Sequence, residues 1–88
     1  MNKERMELIG RELRRQRRMQ DRTLQDVANA VGLKENTISA YEKGKIQIPI
    51  DNLDDICSYL GIDYIALLSQ VRDTLMSLHS IPKFNKRK

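Results

Sequence analysis

Residues 23–45 read TLQDVANAVGLKENTISAYEKGK, and this stretch decides the fold. Its apolar residues recur at helical rather than strand spacing. Thr23 followed by Asp26 reads as a capping box, in which the hydroxyl accepts from the third helical amide and the carboxylate reaches back to the cap. A helix therefore starts at Leu24, buries Leu24, Val27, Ala28 and Val31, and stops at Gly32, which takes the positive φ a helix C-terminus often needs. A second helix covers about Lys34 to Lys43, with Ile38 and Tyr41 as its apolar face and Gly44 as its terminator.

Helices this short do not stand alone in water, and the brief turn at Gly32 and Leu33 makes them pack across each other. A crossing that close needs a small residue on one helix and a buried aliphatic on the other. Ala28 and Ile38 fall at those places, and Gly32 supplies the bend. The three together identify a helix-turn-helix; any one alone would fit an ordinary helical hairpin equally well.

Working outward, Met6, Ile9 and Leu13 form the stripe of a first helix that runs to about Met19. Downstream, Pro49 suits the first turn of a fourth helix, whose stripe is Leu53, Ile56, Cys57 and Leu60 and whose end is Gly61. Asp63 caps a fifth helix holding Ile65, Leu67 and Leu68, with a continuation through Val71, Leu75 and Leu78. Pro82 and the basic tail IPKFNKRK are expected to be disordered. The expected fold is all-α: a compact five-helix domain over residues 1–69, followed by a C-terminal helical extension and basic tail over 70–88.

Composition narrows the function. With 88 residues the chain builds one core at most. One cysteine, Cys57, and one histidine, His79, rule out an intrachain disulfide and a structural zinc site of four N or S ligands, so no metal and no cofactor are expected. Cys57 lies on the apolar stripe of helix 4 and reads as a buried small hydrophobe. The N-terminus MNKERMELIG has no apolar segment of the exported kind, and the longest apolar run, Tyr64 to Leu68, is far too short to span a membrane. A cytoplasmic protein with no membrane partner is expected. No paired carboxylates, activated nucleophile or phosphate loop stands out, so an enzyme is not expected.

Charge points to a partner. The net +4 conceals an uneven distribution: residues 3–22 carry eight basic and four acidic side chains, residues 23–82 carry four and eight, and Lys83, Lys86, Arg87 and Lys88 close the chain. Clustering of this kind fits a polyanion, although a solvated arginine-rich helix face accounts for it equally well.

The sequence resembles the helix-turn-helix regulators of the Cro and phage-repressor type, also called the XRE family. The resemblance covers residues 9–68 and rests on IGRELRRQR, TLQDVANAVGL, NTISAYEKGK, IPIDNLDDI and LGIDYIALL. It implies a lambda-repressor-like domain whose third helix enters the major groove of double-stranded DNA, usually as a dimer on a palindromic site. Three positions depart from the family pattern. Leu24 replaces a Gln whose side chain touches a phosphate, Lys34 replaces a Ser or Thr cap, and Arg22 replaces an apolar residue.

On helix 3 the outward positions are Glu35, Asn36, Ser39, Ala40 and Lys43. Asn pairs with adenine N6 and N7, Glu accepts from cytosine N4, and Ala meets a thymine methyl. The resemblance implies that Glu35, Asn36, Ser39 and Ala40 face base edges. It implies that Arg17 pairs with Glu42 close to a phosphate. Lys34, Thr37, Lys43 and Lys45 are expected on phosphates as well. Tyr41 reads as core, and most of Arg11, Arg14, Arg15 and Arg18 as solvated, with one or two of them approaching phosphates.

Leu68, Val71, Leu75 and Leu78 form a stripe that the preceding domain does not obviously need, so a homodimer through helix 5 is expected. A second reading stays open: an antitoxin or interaction module in which residues 70–88 grip a protein partner.

Overall fold

The computed structural model describes the backbone of residues 3–87 and the side chains of residues 3–79. Among these residues there are five helices and no strand: α1 (Lys3–Met19), α2 (Leu24–Val31), α3 (Glu35–Glu42), α4 (Ile50–Leu60) and α5 (Tyr64–Arg87).

Local chemistry sets the helix ends. The capping box forms in full: Thr23 Oγ1 accepts from the Asp26 amide at 3.0 Å, and the Thr23 amide donates to Asp26 Oδ2 at 2.9 Å. At the other end of α2, Gly32 adopts φ 73°, and the Leu33 amide donates back to the Ala28 carbonyl at 3.0 Å. A side chain at Gly32 would oppose that left-handed turn, and the turn is what directs α3 across α2. The Asp63 carboxylate accepts from the Ile65 amide at 2.9 Å and starts α5 as expected. Pro49 stands one position ahead of α4, at its N-cap, and not inside its first turn.

All five helices contribute to one core, in which Leu13, Val27, Ala28, Ile38, Ile56 and Cys57 are almost completely buried. α1 is its spine and packs against α3, α4 and α5. Its closest approach is to α3: a Cβ placed on Gly10 would lie 2.4 Å from the Tyr41 carbonyl oxygen and 2.5 Å from that of Glu42. Only a residue without a side chain lets the two backbones meet so closely.

The reading of helix 5 needs two corrections. Val71 and Leu75, expected as a spare stripe, are buried at 5% and 8% exposure, in the same core as Leu67. The domain does use them: α5 runs on along α1, whose Leu8 is partly buried against that cluster, so the core reaches past residue 69. Of the remaining stripe residues Leu68 is partly buried and Leu78 is 64% exposed, and Ile65 near the start of the helix is 62% exposed. The helix also continues through Pro82 to Arg87, where disorder was expected. Extending an existing helix is far less costly than starting one. Pro82 has no amide to bond the Leu78 carbonyl.

Candidate nucleic-acid interface

The frame of the site is the α2–α3 crossing. Ala28 and Ile38 meet the core at 0% and 2% exposure, as the spacing of Ala28, Gly32 and Ile38 requires. Tyr41 is buried at 4%, and its hydroxyl accepts from Asn52 Nδ2 at 3.0 Å, so its polar end is satisfied inside the protein.

With Ile38 and Tyr41 turned inward, the opposite face of α3 lies open. Glu35 and Asn36 are exposed, and Thr37, Ser39 and Ala40 are half-buried. Lys34 occupies the N-cap without a side-chain capping bond, Lys43 ends the helix, and Lys45 follows in the turn; all three are exposed. Among the described residues none of these side chains is held by an ion pair or a side-chain hydrogen bond. The fold therefore leaves Glu35, Asn36, Ser39 and Ala40 on the side of α3 away from the core, with Lys34 and Lys43 at its two ends and Lys45 just beyond.

Arg17 stands apart from that group. Its Nε and Nη2 donate to the two Glu42 carboxylate oxygens at 2.7 and 3.1 Å, and Nη1 donates to the Arg22 carbonyl at 2.8 Å. The two side chains are only 12% and 7% exposed. A two-point pair so well shielded ties α1 to the end of α3. It leaves little of the guanidinium free for a phosphate, so the role the geometry gives Arg17 is structural.

Other contacts escaped the sequence reading. Arg22 lies over the Tyr59 ring, 4.4 Å from its centroid, and also donates to the Tyr59 hydroxyl. Arg22, standing where the family has an apolar residue, thus packs on an aromatic face. Gln20 Nε2 donates to the Leu60 carbonyl at 2.7 Å and closes the end of α4. Neither contact had a signal in the sequence, because each joins residues about 40 positions apart. Gly10 had one: a lone glycine inside the helix-forming IGRELRRQR run marks a close approach.

Among the described residues no group of three His, Cys, Asp or Glu side chains is placed to hold a metal ion, and no helix is long and apolar enough to cross a membrane. Burial, together with the nearby Asp54 and Asp63 carboxylates, pushes the Cys57 thiol up to about 11, so the buried sulfur stays protonated.

Comparison with known proteins agrees with this geometry. The chain is 27% identical over 63 residues to the antitoxin PezA of Streptococcus pneumoniae, a match covering 72% of this chain and 40% of that protein. The chain thus spans well under half the length of that relative. Its fold is similar to the crystal structure of the clp gene regulator ClgR from Corynebacterium glutamicum, with a TM-score of 0.75, 24% identity and coverage of 94% of this chain and 87% of that one. The sequence profile of the helix-turn-helix family matches residues 13–67, the span that holds the α2–α3 frame and its supports, and the chain belongs to that family, the DNA-binding regulators of the Cro and phage-repressor type.

Proposed function

We propose that this chain is a cytoplasmic, sequence-specific transcriptional regulator that inserts α3 into the major groove of a palindromic operator as a homodimer. The observation that carries this reading is the open face of α3. Glu35 and Asn36 offer an acceptor and a donor–acceptor pair to base edges, Ser39 and Ala40 let the helix approach closely, and Lys34, Thr37, Lys43 and Lys45 flank them for phosphates.

Dimerisation is proposed on selectivity. One helix of this length reads only a few base pairs, so useful discrimination needs two copies about one turn of DNA apart. Since Val71 and Leu75 are used inside the chain, the apolar side chains of α5 left for a second copy among the described residues are the partly buried Leu68 and the exposed Ile65, Met76 and Leu78. The test is selection of the protein's target from a random duplex pool, followed by sedimentation equilibrium with and without the selected DNA. Enrichment of a palindrome bound two-to-one is expected; a pool with no enriched sequence would overturn the reading. Asn36→Ala should then relax preference at a single base pair, by about 1 to 3 kcal/mol, and an unchanged selected sequence would remove Asn36 from the contact set.

The similarity to an antitoxin favours a second reading, in which the domain binds DNA while residues 70–88 hold a protein partner. The variant Leu78→Glu separates the two. Loss of self-association with weaker operator binding supports the dimer, whereas self-association at the wild-type level supports the antitoxin reading.

A further inference from the structure

Five arginines lie on α1 between Arg11 and Arg18, and they fall into two groups. Arg17 is paired with Glu42, and Arg15 is paired with Glu12 at 2.6 Å. Arg11, Arg14 and Arg18 are exposed, and among the described residues no carboxylate pairs with them. The acid one turn before Arg11 is Glu7, whose stem lies against the Gly44 backbone. Positions 11, 14 and 18 succeed one another at helical neighbour spacing, where like charges repel and weaken the helix. A row of unpaired like charges thus costs the isolated domain stability and returns nothing within it.

The row is also continuous with the candidate interface. Arg18 lines a shallow depression together with Thr23 and Leu24 at the start of α2 and Glu35 at the start of α3. Asp21, also in that depression, does not pair with Arg18. On its other side, Arg18 lines a second depression with Arg11, Arg14, Arg15 and Met19. One arginine therefore borders both surfaces, and the basic row leads from the edge of α3 back along α1. Seven helical steps between Arg11 and Arg18 cover about 10 Å, against one phosphate per about 3.4 Å of axis along one DNA strand.

We propose that Arg11, Arg14 and Arg18 form a second DNA-binding surface that holds the phosphate backbone beyond the bases read by α3. This inference rests on the DNA-binding reading of α3 and extends its footprint onto flanking duplex. Contacts of this kind carry no base information. They add affinity, salt dependence and a requirement for DNA length.

The test uses the full chain with Arg11, Arg14 and Arg18 all changed to Gln, a second triple variant with Lys at the same positions, and the single variant Arg14→Gln. Affinity for the wild-type-selected duplex is measured against salt concentration, on a long duplex and on one trimmed to the selected bases. The Gln variant is expected to keep the selected sequence and to lose roughly 2 to 3 from the slope of log affinity against log salt, about one per contact. Trimming should weaken the wild type and leave the Gln variant unaffected. The Lys variant should retain the slope, because the role requires charge, and Arg14→Gln alone should lose about one, which keeps the test informative if the triple Gln variant folds poorly. A Gln variant with the wild-type slope and the wild-type response to trimming would overturn the proposal while leaving the role of α3 intact. A change in the selected sequence would overturn it too, since these residues would then be reading bases or disturbing α3. A wild-type protein that selects no sequence would instead remove the reading on which the proposal rests.

Discussion

The α2–α3 unit and α5 follow the same helical periodicity, yet the pattern is obeyed closely in one and only partly in the other. In α2 and α3 the inward positions Val27, Ala28, Ile38 and Tyr41 are buried and Leu24 and Val31 partly buried, while the outward positions Glu35 and Asn36 are exposed. In α5 one apolar set is divided: Leu67, Val71 and Leu75 are buried, while Ile65, Met76 and Leu78 are 62%, 42% and 64% exposed. Each short helix is enclosed by two neighbours, α2 by α3 and α4, and α3 by α1 and α2. The long helix passes the end of its core and carries apolar residues on more than one face. Periodicity locates a face; what covers that face depends on where the other helices end.

The largest effect expected from this comparison is at the crossing. Ile38→Asp places an unpaired charge where the side chain is 2% exposed and should unfold the domain, a loss of several kcal/mol in a fold with about 5 to 10 to lose. Thermal melting by circular dichroism reads it, and a wild-type melting temperature would mean that the α2–α3 register is misplaced.

Next come two leucines of α5 that the sequence alone treats as equivalent. Leu75→Ala should cost about 2 to 3 kcal/mol and Leu78→Ala under about 0.5, because only Leu75 packs against the core. Urea unfolding of the monomer at low concentration checks this. Equal losses at the two sites would break the division of α5 described above. Gly10→Ala should cost about 1 to 3 kcal/mol by the same measurement, since its Cβ would meet backbone carbonyls that cannot turn aside. A neutral result would show that α1 and α3 sit farther apart.

The smallest effect concerns the cap that directs α2. The Thr23 amide holds the Asp26 carboxyl below its ordinary 3.8, and the Thr23 hydroxyl assists. Because the folded value is the depressed one, the contribution of Asp26 is fully present above the unfolded value and is lost as pH falls through the folded one. Glu12, lowered from 4.5 chiefly by Arg15, behaves in the same way. The melting temperature should therefore decline on acidification below about pH 4, and Asp26→Asn should make that decline shallower. Thr23→Ala should cost about 1 kcal/mol at neutral pH. A decline unchanged in Asp26→Asn would mean that the carboxylate end of the capping box does not form in solution.

Much of the molecule was legible from local chemistry alone. Thr23 with Asp26, Gly32, Gly44, Gly61 and Asp63 marked the helix boundaries, because caps and left-handed turns are satisfied by residues within a few positions of one another. The same locality, through side chains repeating around a helix, set the inward and outward faces of α3. Family resemblance supplied the pairing of Arg17 with Glu42, which no local rule contains.

Tertiary structure alone decided the remainder. Arg22 finds Tyr59, Gln20 finds the Leu60 carbonyl, and Asn52 finds the Tyr41 hydroxyl. Val71 and Leu75 pass from spare stripe to core because α1 is long enough to run beneath them. Arg14 and Arg17 are the same residue type on one helix, and only the position of Glu42 makes one a structural tie and leaves the other free. A side chain's type sets which partners it can take, but partners distant in sequence are chosen by the packing of whole helices, which minimises exposed apolar area over all of them at once.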